Sequence, residues 1–387
     1  MEDVREYLEV LQTYRRALHE IPELGEILTE THRYVREALV SCLPDEIREF
    51  AGYGLRAVFR ADGAKRTIAF RADMDALPME EEADVVFRSR HAGCMHACGH
   101  DGHMANLLAL AHWIADHRDR IKINVVLIFE PAEETTGGAK PLIDAGVLVE
   151  PQVSRIYGLH LMPDIPKGNM AVCSGPIMAS TSELNFTIRG VSSHGAMPHL
   201  GKDAITAAAH LITLLNSAVA RTVDPCQEAV ITIGRIEAGT QRNILADTAK
   251  LFGICRTFSN DVYRGLECQI HSICDGVSKA FGVKVEFERG VYYPCTVNDP
   301  LETERVIHIL KNLYQPAIPR MTADDFSYYQ MEVPGVYVFC GCKDEQHQSA
   351  LHTPTFGFDE SALLPGLGLF ASLILDASLE EKQNGHF

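Results

Sequence analysis

Residues 123–129 read INVVLIF, a run in which only Asn124 interrupts apolar, largely β-branched side chains. Such a strand has no polar face to offer water. It must be covered on both sides, as in a mostly parallel sheet held between helices. That requirement sets the class: strands alternating with helices, α/β. Residues 55–60 and 67–72 are two further strand patterns, with Asp62-Gly63 between them as a hairpin signal. Residues 155–161, RIYGLHL, form another and carry His160 near their end. Helical spacing places Val4, Leu8, Leu11 and Leu18 on one face of an N-terminal helix, away from Glu9, Arg15 and Arg16. A second helix is expected over 29–40. In open α/β sheets functional groups collect beyond the carboxyl ends of the strands. Asp73, Asp75, Glu133, Glu134 and His160 all fall at or just past such ends.

After Pro176 the texture changes. Residues 182–189 alternate as a half-buried strand, followed by a helix at 203–219, strands at 230–236 and 249–258, a helix at 261–280 and a strand at 283–288. The order β-α-β-β-α-β is that of a ferredoxin-like unit. The chain therefore divides into a first domain, 1–176 and 294–387, with a mixed, mostly parallel sheet flanked by helices, and an inserted ferredoxin-like α+β satellite, 177–293. The returning segment supplies a helix at 301–313, a buried strand at 336–340 and a closing helix at 360–376. The final EKQNGHF is expected to fray.

Residues 95–103, MHACGHDGH, gather one thiol, three imidazoles and a carboxylate within nine residues broken by two glycines. A helix follows, with Met104, Leu107, Leu108, Ala111 and Ile114 at helical spacing and Asp101 as the expected N-cap. Cys98 and His100 then lie just ahead of a helix N-terminus, whose dipole favours a thiolate. Sulfur and imidazole donors together point to a transition-metal site. The rival is a packed loop with a buried cysteine and satisfied histidines. A net charge of −17 argues against nucleic acid or an anionic membrane as partner. No apolar run of transmembrane length and no leader-like start are evident. The eleven scattered cysteines match no disulfide framework, so a reducing cytoplasm is the expected setting.

The motifs HEIPELG (19–25), RADMDALP (71–78), MHACGHDGH (95–103), EPAEETTGGAK (130–140), GLHLMPD (158–164), SSHGAMPH (192–199), AGTQRNILAD (238–247), ADDFSYY (323–329) and LHTPTF (351–356) occur together and in this order. With them the chain resembles the aminoacylase and carboxypeptidase-like metallopeptidase family over nearly its full length. The nearest likeness is to the amidohydrolase branch of indole-acetyl-amino-acid hydrolases, hippurate hydrolases and N-acetyldiaminopimelate deacetylases. The resemblance implies a catalytic α/β domain with a satellite that commonly mediates dimerisation, so a homodimer joins the expectations. It implies two divalent transition-metal ions (zinc, manganese, nickel or cobalt) held by Cys98, His100, Glu134, His160 and His352, with the Cys98 sulfur as bridge. By the same likeness Glu133 is the general base and Asp75 a supporting carboxylate. His194 (or its rival His199) is the oxyanion-side histidine, and Asn243 with Arg256 grips the substrate carboxylate. His96, His103 and Asp73 are read as support rather than ligands.

Two positions depart from the family pattern: Thr353 follows His352 where a polar ring or amide is usual, and Glu130 replaces the usual glutamine. Neither removes a ligand. The chemistry implied is hydrolysis of the amide of a small N-acyl amino acid, for which one glutamate can ligate while its neighbour moves the proton. The alternatives are a binding module without turnover, a dipeptidase-like peptidase, and a hydrolase using Cys98 as nucleophile.

Overall fold

The computed structural model describes residues 1–384, beginning with α1 (Leu8–His19) and α2 (Thr29–Ser41). Leu11 and Leu18 of α1 and Val35 and Leu39 of α2 are fully buried. Three strands follow: β1 (Glu46–Phe50), β2 (Gly54–Phe59) and β3 (Thr67–Asp73). Next come α3 (His100–Asp116), β4 (Asn124–Glu130), α4 (Ala139–Asp144), β5 (Arg155–Pro166) and β6 (Met170–Val172). A short β7 (Gly175–Met178) leads to β8 (Ser180–Arg189), α5 (Ala204–Thr222), β9 (Ala229–Ala238), β10 (Thr248–Thr257), α6 (Asn260–Phe281) and β11 (Lys284–Tyr293). The chain closes through β12 (Thr296–Asn298), α7 (Pro300–Leu310), β13 (Tyr314–Pro316), α8 (Phe326–Glu332), β14 (Gly335–Lys343) and α9 (Leu364–Asn384).

Two compact units result. The first comprises Met1–Ile177, Val297–Ile318 and Asp325–Phe387, and the second comprises Met178–Thr296 and Pro319–Asp324. The first holds an eight-stranded sheet in the order β1-β2-β4-β3-β5-β14-β6-β13. It is mixed: β3 runs parallel to β4 and β5, and β14 parallel to β5, while β2 is antiparallel to β4. Every residue of β3 and of β4 is buried. The all-apolar run therefore takes a central place, with α3 and α9 in its core. The second unit has a four-stranded antiparallel sheet, order β11-β8-β10-β9, with α5 and α6 against it. In units of its own strands that order is 4-1-3-2, the ferredoxin-like arrangement.

Several local expectations are corrected. Asp62-Gly63 turns the chain, with Gly63 at φ +71°, but β2 and β3 do not pair. β4 lies between them, because a strand buried at every position must pair its backbone on both edges. The other antiparallel partner of β2 is β1, a charged strand at the sheet's edge that alternation alone did not reveal. Asp101 does not cap α3; Gly99, at φ +89°, holds that position. Asp101 instead lies inside the first turn, buried, and accepts from Arg15 Nε at 2.9 Å and pairs with His19 Nδ1 at 2.8 Å. Arg15 is accordingly buried, not on the solvent face, between the rings of Phe87 and Phe358. The closing helix continues past the expected 376, and Glu381 accepts the Lys65 backbone N–H at 2.8 Å. Of the EKQNGHF segment, 385–387 lie outside the described residues. Two helices, Ala204–Thr222 and Glu360–Lys382, are long and apolar enough to cross a membrane, contrary to the expectation from sequence. The second of these is 72% buried, so its apolar composition is that of a core helix.

Candidate metal centre

Loops at the carboxyl ends of β3 and β4 meet the start of α3, and His160 joins them from within β5, which runs on to Pro166 instead of ending near residue 161 as expected. Backbone bonds tie them together. Met74 N–H donates to the Glu130 carbonyl at 2.8 Å, and Leu77 and Met95 exchange both of their backbone hydrogen bonds at 3.0 and 3.1 Å. After β4 the chain doubles back tightly. Ala132 takes φ +67°, and its carbonyl accepts from Gly137 N–H at 2.9 Å. Gly138 passes so close to Pro131 that a Cβ there would lie 1.9 Å from the Pro131 carbonyl oxygen. This fold-back presents Glu133 and Glu134. Both are anchored by one carboxylate: Asp75 Oδ1 accepts the Glu133 N–H at 3.0 Å and Oδ2 the Glu134 N–H at 3.1 Å. His352, at φ +58°, donates its backbone N–H to the Ala97 carbonyl at 2.9 Å, which docks the 351–356 loop beside Cys98.

The side chains converge. Cys98 Sγ is 3.4 Å from His160 Nε2 and 3.3 Å from His352 Nε2. His352 Nε2 is 3.2 Å from Glu134 Oε1. His100 Nε2 faces Asp73 Oδ2 at 3.8 Å, Glu134 Oε1 at 3.9 Å and Glu133 Oε2 at 4.0 Å. Neither His100 Nε2 nor Glu134 Oε1 has a partner in hydrogen-bond geometry, although both are buried. Two ligands at about 2.0–2.3 Å from one tetrahedral ion stand roughly 3.3–3.8 Å apart. The observed spacings are thus too long for hydrogen bonds around His100, and suited to sharing a cation. Donor sets form around Cys98, His100 and His160, and around Cys98, Glu134 and His352, with the sulfur common to both. This set, one thiolate, imidazoles and carboxylate, fits transition ions far better than magnesium or calcium.

Electrostatics agree. Burial disfavours a charged His100, yet Asp73, Asp75 and Glu134 together push it up to about 10. Burial, with Glu134 and Glu133 nearby, drives the Cys98 thiol well above its ordinary value, so the helix N-terminus does not suffice to make it a thiolate. The pocket's excess of negative groups calls for positive charge. Burial opposes the charge of Glu134, but His352 and His100 hold it below the usual carboxylate range.

The remaining expected residues lie in the second unit. There His194 pairs by an isolated bridge with Ile244, and Gly195 N–H donates to the Asn243 carbonyl at 2.8 Å, so His194 and Asn243 share one exposed loop cluster. His199 is exposed on the same loop. Arg256 is half-buried in β10, and desolvation lowers its pKa.

Sequence reasoning missed a buried charge cluster beneath the centre. Arg71 donates to Asp73 at 2.6 Å, to Glu130 at 2.7 Å and to Asp325 at 2.7 Å, and Tyr329 OH donates to Glu130 at 2.6 Å. The signal was present as an arginine and an aspartate inside an otherwise apolar strand, IAFRAD, and as the acidic ADDF segment. Charges in such a strand must find each other.

The chain is similar to known proteins over most of its length. The profile of peptidase family M20/M25/M40 matches residues 69–376. The N-acetyldiaminopimelate deacetylase of Leuconostoc mesenteroides subsp. mesenteroides is 37% identical over 376 residues, covering 95% of this chain and 97% of the relative. That of Listeria innocua is 38% identical over 338 residues, covering 86% and 90%. Among solved structures, a putative aminohydrolase from methicillin-resistant Staphylococcus aureus has a TM-score of 0.92 at 31% identity, with 97% of each chain covered. A dinuclear metal binding peptidase of the M20 family from Bacillus subtilis has a TM-score of 0.83 at 32% identity, covering 97% of this chain and 99% of the other.

Proposed function

The chain belongs to peptidase family M20/M25/M40 and is a metal-dependent amidohydrolase with a dinuclear metal cofactor, and on that premise we propose that it hydrolyses the amide bond of N-acyl amino acids with Glu133 as general base. The observation that carries this reading is the partnerless, buried Nε2 of His100, facing Glu133 and Glu134 at 3.9–4.0 Å beside Cys98. In this reading Cys98, His100, Glu134, His160 and His352 would hold the two ions. The ions supply Lewis acidity, which polarises the scissile carbonyl and makes water acidic enough to be deprotonated near neutral pH.

The chain's own groups do the rest. Glu133 takes one proton from the attacking water and delivers it to the leaving nitrogen as the C–N bond breaks, giving a carboxylate and a free amino acid. Its backbone is fixed by Asp75, so the carboxylate is aimed before substrate arrives. His194 steadies the developing oxyanion, and Asn243 and Arg256 bind the amino acid carboxylate, a role suited to a planar guanidinium. These three assignments rest on the motifs SSHGAMPH, AGTQRNILAD and the strand position of Arg256. The division into a metal-binding unit and a satellite serving as lid or dimer contact is part of the same reading. A reducing, cytoplasmic setting suits it as well, since all eleven cysteines are free.

The substrate is sought first among N-acetyl amino acids, because the relatives are named N-acetyldiaminopimelate deacetylases. The test is a panel of N-acetyl, N-benzoyl and indole-acetyl amino acids plus dipeptides, assayed with zinc, manganese, nickel or cobalt added to stripped protein. Glu133→Gln should abolish amino acid release while retaining both metal equivalents. Wild-type activity in that variant removes Glu133 as the base. Release of no amino acid under any condition overturns the N-acyl reading.

A further inference from the structure

One buried imidazole beside the candidate ligands has no part in the chemistry above. His103 is 2% exposed and lies one turn past the start of α3. Its Nε2 accepts the Leu161 backbone N–H at 3.0 Å, and its Nδ1 is 2.6 Å from Asp73 Oδ1. An amide N–H can only donate, so Nε2 is the bare nitrogen and Nδ1–H donates to Asp73. The other oxygen of Asp73 accepts from Arg71 Nη1 at 2.6 Å. Leu161 is held at both ends of its residue, because its carbonyl oxygen accepts from His160 Nδ1 at 2.8 Å. A carbonyl can only accept, so the His160 proton sits on Nδ1 and the Nε2 lone pair is left toward Cys98 Sγ, 3.4 Å away. The His103 ring also packs between the rings of two candidate ligands, edge-on to His160 with centroids 4.9 Å apart and tilted against His100 at 5.4 Å.

We propose that His103 is a positioning residue of the metal centre: the relay Arg71–Asp73–His103 pins β5 at Leu161, and the Leu161 carbonyl sets the tautomer and ring rotation of His160. The inference rests on the reading of His160 as a metal ligand. A ligating imidazole that is not held in one tautomer and orientation binds its ion more weakly. Asp73 thereby serves the centre through His103 rather than as a ligand.

The experiment titrates zinc and manganese into stripped wild type, His103→Asn, His103→Gln and His160→Ala by calorimetry, with visible spectra of the cobalt-loaded forms. Asparagine keeps a donor for Asp73 and removes the acceptor for Leu161 N–H; glutamine restores an acceptor near the Nε2 position. His103→Asn should bind one metal equivalent roughly ten- to hundredfold more weakly, with a shifted cobalt spectrum, and His103→Gln should recover most of the loss. Unchanged affinity and spectrum in His103→Asn overturn the positioning role. His160→Ala separates the two readings: it should lose one equivalent. If it retains both at wild-type affinity, the ligand assignment fails. If it loses one while His103→Asn binds normally, only the positioning role fails. Should the His103 variants not fold, the wild-type protein decides by nitrogen NMR. A through-hydrogen-bond coupling between Leu161 N and His103 Nε2 is expected, and its absence overturns the relay.

Discussion

Asp75 accepts the Glu133 backbone N–H at 3.0 Å through one carboxylate oxygen, and so fixes the main chain of the loop that carries the proposed base. The second oxygen does the same for Glu134. Asp75→Asn turns one acceptor into an NH2 group that faces an N–H. We expect kcat to fall roughly ten- to hundredfold, with weaker metal binding and an unchanged far-UV circular dichroism spectrum. Steady-state kinetics of the metal-loaded variant check this; parent-like kcat would show that the loop holds its shape unaided.

Metal uptake should release protons. In the protein alone His100 is raised to about 10 and the Cys98 thiol lies well above its ordinary value, so both carry protons at pH 8. A cation must displace them, and on the order of two protons should appear in solution on loading. Apparent affinity therefore climbs with pH toward about 10, where His100 gives up its proton unaided. The stability sign runs the other way for the stripped protein. A raised histidine pKa stabilises fully below the ordinary histidine value, and that contribution is lost as pH rises through about 10. Calorimetry in buffers of differing ionisation enthalpy measures the release, and zero release would contradict the assignment of both groups.

Breaking the buried pair under α3 should cost stability. Asp101, fully buried, holds Arg15 and His19, each no more than 3% exposed. Asp101→Ala removes the nearest carboxylate of each, leaving Arg15 only Glu360 at 3.5 Å and His19 only Glu81 at 3.0 Å, and should destabilise by about 3 kcal/mol. Burial opposes the Asp101 charge, but Arg15 and His19 depress its pKa, so its contribution is present above the ordinary carboxylate value and disappears as pH falls below it. Urea melts at pH 7 and at pH 3 test both parts, since the difference between variant and wild type should shrink in acid.

Gly138→Ala should disrupt the centre from outside it. The added Cβ would stand 1.9 Å from the Pro131 carbonyl oxygen, a backbone atom that cannot move without opening the fold-back that presents Glu133 and Glu134. The expected outcome is loss of metal binding and activity with a lowered Tm. A variant that binds two ions normally would mean the loop has another conformation available.

The residues of the candidate site were legible as donors because chemistry constrains their types. Cys98, His100, Glu133 and Glu134 stand in short, dense motifs, and their placement beyond β4 and at the start of α3 follows from hydrophobic patterning, although His100 opens the helix and does not precede it as expected. What eluded the sequence depended on partners far along the chain. Asp101 reads as a helix cap because its neighbours in sequence permit it; Arg15, 86 positions earlier, makes it a buried counter-ion instead. Asp62-Gly63 reads as a hairpin because the turn is real, but the pairing of β2 belongs to β4, whose apolar run competes for the same edge. Local pattern fixes conformation within a few residues, and edge pairing is decided by which strand buries the most.

From the sequence alone came the α/β class, the inserted ferredoxin-like order of elements, and the donor types of the centre, because periodicity and donor chemistry are properties of the residues themselves. Tertiary structure alone decided that Asp75 binds the backbone of Glu133 and Glu134, that Arg71 gathers Asp73, Glu130 and Asp325, and that His103 and His160 meet through Leu161. Apart from Arg71–Asp73 and His160–Leu161, those are distances of a few ångströms between groups tens to hundreds of residues apart. They exist only once a shared core has removed water and left each buried polar atom to find a partner inside the protein.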